Sequence, residues 1–164
     1  MMLPDPSALS PQQQLKQTRL LFTAILSGVL IFLLVAVVVN ETMGVLKPSL
    51  LVYLTEARLV IAIVSFTAML TAKRLFTRDM ETAKKSLIHL SDKLNHYRSA
   101  LIKYVAICEV PAMVAIILFL FMGNFIFIVY AAVLIGFIAV MMPSRKKIIT
   151  LLDLDSGEQL ELEK

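Results

Sequence analysis

The sequence predicts an all-α membrane protein with four transmembrane helices in two helical hairpins and a cytoplasmic amphipathic helix between helices two and three. Three observations carry this reading. Of the 164 residues, 59% are apolar and 17% are charged, where a soluble domain has about 45–50% and about 25%. That excess excludes a disordered chain and a water-soluble globule. The apolar residues are gathered into four blocks of bilayer-spanning length, and the basic residues fall at alternate ends of those blocks.

Residues 20–39 carry no charge and match the roughly 20 residues that a helix rising about 1.5 Å per residue needs to cross about 30 Å of hydrocarbon. The run is longer than the apolar region of a signal peptide, and residues 37–40 offer no small-residue cleavage site, so it is expected to remain as an anchor. Residues 50–72 form the second span although they hold Glu56 and Arg58, and Pro48 suits the first turn of that helix. Residues 100–122 form the third, with Lys103 and Glu109 inside it. A core helix of a soluble protein has no reason to be apolar all round for so long. Residues 125–142 are charge-free and slightly short, so the ends of the fourth span should sit close to the headgroups. Gly123-Asn124 supplies the tight turn before it. The chain thus divides into an N-terminal segment 1–19, a membrane domain 20–142 that includes the amphipathic segment 73–99, and a tail 143–164.

Lys16 and Arg19 precede the first span, Lys73, Arg74, Lys84, Lys85 and Arg98 lie between the second and third, and Arg145, Lys146 and Lys147 follow the fourth. An even number of crossings puts all of these on one side, which the positive-inside rule makes cytoplasmic, together with both termini. The expected location is a cell (inner) membrane. Lys73, Arg74, Lys84, Lys85, Arg145, Lys146 and Lys147 are expected at lipid headgroups. Orientation and headgroups account for the net charge of +4, so no nucleic-acid partner is expected. Asn40-Glu41-Thr42 reads as a glycosylation sequon on the outer side, placed too close to the apolar run to be used.

Between spans two and three, Phe76, Met80, Ala83, Leu87, Leu90, Leu94, Tyr97 and Leu101 recur at alternating spacings of four and three, a heptad-like stripe. The favoured reading is an amphipathic helix lying on the inner leaflet. The other is a helix that leaves the membrane and packs on a partner or a copy of itself. The chain must reverse before the third span, and with neither Gly nor Pro available the turn is placed at 89–92, with Ser91 as the next helix's N-cap. A faint repeat lays residues 65–74 on 136–145 and implies two hairpins in the same orientation. After Pro143 the order basic, apolar, acidic predicts a short helix that starts at the headgroups and ends in a solvated acidic tail.

Glu109 lies about seven residues, on the order of 10 Å, inside the third span, where a charged side chain costs at least a few kcal/mol. Pro111 frees the Ile107 carbonyl beside it and predicts a kink. The same depth in the other spans reaches Ser27, Gly28, Ser65, Thr67 and Gly136. A polar layer of Glu109, Ser27, Ser65 and Thr67 would bind a proton or cation, or would be structural glue in which a protonated Glu109 bonds the hydroxyls across helices. The absence of a buried base at that depth favours glue. Glu41, Glu56 and Arg58 form an outer polar cluster: Glu56 and Arg58 are read as interfacial anchors, with Arg58 snorkelling outward, and the bolder reading is an outer vestibule that includes Glu41. Glu56 and Arg58 are two apart and cannot simply pair on a helix.

Enzymatic chemistry has little to stand on. Cys108, the one cysteine, forms no internal disulfide and reads as packing. The two histidines, His89 and His96, flank the cytoplasmic turn, and no catalytic set, paired carboxylate, metal motif or phosphate loop is present in the sequence. No catalytic residue, metal or cofactor is expected. The expected function is that of a small non-enzymatic polytopic membrane protein, either an assembly or accessory subunit of a larger membrane complex or a homo-oligomer. The alternative is a proton- or cation-coupled transporter or channel built on Glu109 beside the Pro111 kink. The lipid bilayer is a partner in both.

Overall fold

The computed structural model describes residues 11–46, 48–86 and 90–161. These are helical, without a strand among them: α1 (Pro11–Met43), a 3-10 stretch (Pro48–Tyr53), α2 (Leu54–Ser86), α3 (Leu90–Met122), α4 (Ile126–Val140), α5 (Arg145–Leu152) and α6 (Ser156–Glu161). The first three α-helices have 33 residues each and are therefore about 50 Å long, well beyond about 30 Å of hydrocarbon. All three are long and apolar enough to cross a membrane, and α4 with α5, which meet at 75°, make a fourth candidate.

The centre of the bundle is α3. It packs on α1, α2 and α4, whereas α1 and α2 make at most marginal contact with each other. The expected hairpin of the first two spans is thus not a packed pair, and the packed consecutive pairs are α2–α3 and α3–α4. The reason is written in α3. Leu90, Tyr97, Tyr104 and Pro111 occupy one buried heptad position, Leu94, Leu101, Cys108, Ala115 and Met122 a second, and Val105, Ala112 and Phe119 a third. A helix with one neighbour buries two such positions. The small residues Ala100, Cys108, Ala112 and Ala115 let neighbouring backbones come close.

By contrast, α1 buries a narrow seam of Phe22, Val29 and Ala36, spaced seven apart. Most of its remaining surface faces outward, as does that of α2, with Ile31, Leu34, Leu59 and Phe66 each more than 60% exposed. So broad an apolar surface is an aggregation liability in water but is solvated by lipid tails. On one side α4 closes over α3 and touches both α1 and α2. On the other side Ala106, Val110, Val114 and Ile117 leave α3 uncovered between α1 and α2.

The interior falls into two clusters. At the end of the bundle that carries the basic residues, Phe76 meets Tyr97 and Tyr104 edge to face, with ring centroids 6.1 and 5.7 Å away. Tyr104 stacks on Phe137 at 5.5 Å and donates its hydroxyl hydrogen to the Phe137 carbonyl over 3.3 Å. Toward the far end Val29, Ile61, Ile116, Phe119 and Phe127 form the second cluster.

The amphipathic segment corrects the favoured expectation of one helix lying on a leaflet. Phe76, Met80 and Ala83 on α2 face Leu90, Leu94, Tyr97 and Leu101 on α3 in a single cluster. The stripe is folded back on itself, and segment 73–99 consists of the ends of two long helices. Beyond Lys73, α2 runs on for about 20 Å. Leu87 and His89 of the stripe and its turn lie outside the described residues. Ser91 is not an N-cap, because α3 already begins at Leu90. Its hydroxyl instead accepts from Gln14 Nε2 at 3.1 Å and ties the start of α1 to the start of α3.

The internal repeat also fails in three dimensions. Residues 65–74 lie within α2, whereas over 136–145 α4 ends in a tightened turn, Met141 and Met142 donating to the Ile138 and Ala139 carbonyls, and the chain bends into α5. Ser144 caps α5 by accepting from the Lys147 amide, and left-handed Asp153 closes it. Ile148, Leu152 and Leu154 are buried against the basic-end cluster, so the tail docks by its apolar side while Asp153 and Asp155 stay exposed.

Candidate functional site

The register between helices decides which polar residues can meet. Phe22 shares a crevice with Leu101 and Val105 near one end, and Asn40 stands against Gly123 at the other. These contacts set α1 parallel to α3 and bring Glu109 to the level of Ser27 and Gly28. Phe76 against Tyr97 and Tyr104, with Ile61 clustered with Ile116, sets α2 antiparallel and brings Ser65 near the level of Pro111 and Ala112.

At these levels along the bundle the polar layer is not assembled. Ser27 is exposed and donates to the Thr23 carbonyl of its own helix at 2.7 Å. Thr67 is exposed on α2. Ser65 is buried, and its hydroxyl has no hydrogen-bond partner. Glu109 is half-buried at the α1 edge of α3, and no hydrogen bond or ion pair joins it to a described residue. Pro111 is buried inside α3, which continues through it as one helix. The Ile107 carbonyl loses its helical donor there.

Beside Glu109 the surface is open. A side chain added at Gly28 would meet nothing within 4 Å, and Ala24 one turn earlier is exposed. Two small residues four apart permit close approach of another helix. From Ala24 a groove of about 720 Å³ runs toward the basic end over Leu20, Leu21 and Ile25 to Gln13, Gln17, Lys16 and Arg98. Arg98, Ile102 and Glu109 lie on one stripe of α3 by their spacing of four and seven, so the carboxyl continues the line of that groove toward the middle of the bundle.

The outer cluster is not a unit. Glu41 and Glu56 are exposed at the ends of α1 and α2, Arg58 is half-buried with its Nε unbonded, and no ion pair joins the three. Asn40 Nδ2, the atom a glycan would be attached to, is buried. The Leu46 amide donates to the Leu120 carbonyl, folding the connection over the end of α3. Cys108 is fully buried on the α3 seam.

Lys73, Arg74, Arg145, Lys146 and Lys147 are exposed toward one end of the bundle. Lys84 and Lys85 stand about 17 Å further along α2 than Lys73 and Arg74. The two pairs cannot share a headgroup plane while α2 stands upright. Lys147 Nζ donates to the Val140 carbonyl and satisfies the end of α4.

Sequence reasoning missed one arrangement. Lys16 and Arg19 of α1 and Arg145 and Lys147 of the α4–α5 corner surround a single cavity of about 530 Å³. The only signal was that each pair borders an apolar block, because the two pairs lie at opposite ends of the chain.

No protein-family model, curated protein or solved structure matches this chain. Its function is therefore read from geometry.

Proposed function

We propose that this is a small non-enzymatic polytopic protein of a cell (inner) membrane, both termini cytoplasmic, that acts as an assembly or accessory subunit of a larger complex or in a homo-oligomer. The observation that carries the reading is Glu109. A charged side chain at the bilayer centre costs at least a few kcal/mol, yet this carboxyl is only half-buried on the flank of the bundle and has no hydrogen-bond or ion-pair partner among the described residues. A further transmembrane helix laid along the uncovered side of α3 would supply a donor and remove the cost. Ala24 and Gly28 leave the room that close helix packing needs. The basic residues at one end of the bundle support a cytoplasmic placement of that end.

The reading is tested by the size of the complex extracted from membranes in mild detergent and reconstituted at rising dilution in lipid. Gly28→Leu fills empty space in the isolated chain, so its helical content and unfolding midpoint should match wild type while the assembly falls apart. Glu109→Leu should weaken assembly by about 1–2 kcal/mol for one interhelical hydrogen bond, with Glu109→Gln close to neutral. A wild type that stays monomeric at every protein-to-lipid ratio and extracts without a partner would overturn the proposal. Ion flux in liposomes that Glu109→Gln abolishes would move the conclusion to a transporter or channel.

A further inference from the structure

We propose that the cavity between the start of α1 and the α4–α5 corner holds the headgroup of one anionic phospholipid, preferentially a headgroup with more than one negative charge. The inference rests on the membrane placement above but not on the assembly role.

Four cations, Lys16, Arg19, Arg145 and Lys147, converge on this cavity from two elements far apart in sequence, and among the described residues no carboxylate lines it. Such a concentration of one sign in a cleft with low-dielectric walls focuses the field and draws a counter-ion. Arg offers a planar fork that fits phosphate oxygens, and Lys a point charge with three donors. Lys147 commits one donor to the Val140 carbonyl and keeps two for an anion. Ser144, the N-cap of α5, also lines the cavity, so the positive end of that helix adds to the wall.

The remaining wall selects a lipid over a dissolved anion. Leu15, Met142 and Pro143 give the cavity an apolar side, which suits a glycerol backbone and the start of acyl chains. The helix α4 has only 15 residues, about 22 Å, and ends short of about 30 Å of hydrocarbon. A short span draws the local headgroups toward its end. Here that end is the corner that carries Arg145 and Lys147. The 75° bend into α5 makes the corner a shelf at the level where phosphates lie.

The test is lipid retention by the delipidated full chain, followed by native mass spectrometry, with phosphatidic acid, phosphatidylglycerol and phosphatidylcholine as probes. Phosphatidic acid should bind at one per chain and at least tenfold more tightly than phosphatidylcholine, with phosphatidylglycerol between them. Lys16→Ala with Arg19→Gln should weaken phosphatidic acid at least tenfold. Lys84→Ala with Lys85→Ala removes the same charge near the tip of α2 and should change it less than twofold. Equal losses in the two double variants would show a diffuse field and overturn the proposal, as would equal binding of the zwitterionic lipid. Displacement of the lipid by millimolar inorganic phosphate would show a soluble-anion site instead. Should the first double variant not fold, the wild type decides: its unfolding midpoint must rise with added phosphatidic acid and saturate at one lipid per chain, and a flat response overturns the inference.

Discussion

Truncating Phe76 to alanine tests the folded-back ends of α2 and α3 most directly. Phe76 is 6% exposed and lies edge-on to both Tyr97 and Tyr104. Removing a buried phenylalanine costs about 3–5 kcal/mol, of which the two ring pairs supply about 0.5–1.5 kcal/mol each. Since 1.4 kcal/mol is about a factor of ten, amide protection over 76–86 and 90–101 should fall by roughly 100-fold or more when hydrogen exchange is followed in lipid nanodiscs. Peptides around 29–36 and 115–122 belong to the other cluster and should keep their protection. A single helix lying on the leaflet would put Phe76 in lipid and leave 90–101 unaffected, so a change under about tenfold there refutes the folded-back arrangement. A cross-link gives an independent reading. With Cys108 replaced by Ala, a pair introduced as Ala83→Cys and Leu94→Cys should oxidise readily, because the antiparallel register that sets Phe76 against Tyr97 and Tyr104 brings Ala83 to the level of Leu94, and both are buried. Along one continuous helix the two would be about 16 Å apart, beyond the reach of a disulfide, whose Cα atoms lie within about 7 Å.

Two further substitutions test the ends of the bundle by thermal unfolding in detergent. Gly123 has φ +64°, and a Cβ there would lie 2.6 Å from Val45 Cγ2. Gly123→Ala should therefore destabilise by about 1–3 kcal/mol through overpacking and left-handed strain, with Val45→Ala restoring only the packing part. Full rescue by Val45→Ala, or no loss at all, would contradict the turn geometry. Tyr104→Phe removes the hydroxyl on the Phe137 carbonyl but keeps the ring stack, so it should cost about 0.6 kcal/mol. A loss as large as that of Tyr104→Ala would mean that the hydroxyl, not the ring, holds α4 to α3.

The all-helical architecture with several helices long and apolar enough to cross a membrane was legible because it rests on block length and composition, which tertiary structure does not alter. The stripe shows where that reasoning stops. Phe76, Met80, Ala83, Leu90, Leu94, Tyr97 and Leu101 were recognised as one apolar face, and all of them are buried. A heptad phase that continues through the reversal looks the same whether one helix lies flat or two helices fold together, and no Gly or Pro marks the turn. The role of α3 was hidden for a related reason. A span that is apolar all round reads alike at the centre of a bundle and at its edge, and only the small residues Ala100, Cys108, Ala112 and Ala115 hint at the difference. Level along the bundle can be counted from the sequence, and the helix register puts Glu109 level with Ser27, and Ser65 near Pro111. Rotation about each helix axis could not be counted, and rotation turns Ser27 and Thr67 away from Glu109.

That rotation has an energetic consequence. Lipid gives two apolar helices no hydrophobic reason to leave it for each other, so association must come from packing and from polar groups that are poorly placed without a partner. In this chain such a group lies at the edge of the gap that α1 and α2 leave over α3. An interhelical hydrogen bond to a polar side chain within the bilayer contributes about 1–2 kcal/mol. That exceeds what scattered outward valines and leucines offer, because those are equally well solvated by acyl chains. On the proposed assembly role the driving force would be concentrated at Glu109, while Ala24 and Gly28 would determine whether a partner backbone can come near enough to reach it. Gly28→Leu and Glu109→Leu interrupt different steps of the same contact, approach in one case and bonding in the other. If both groups serve one interface, the loss in the double variant should fall short of the sum of the single losses.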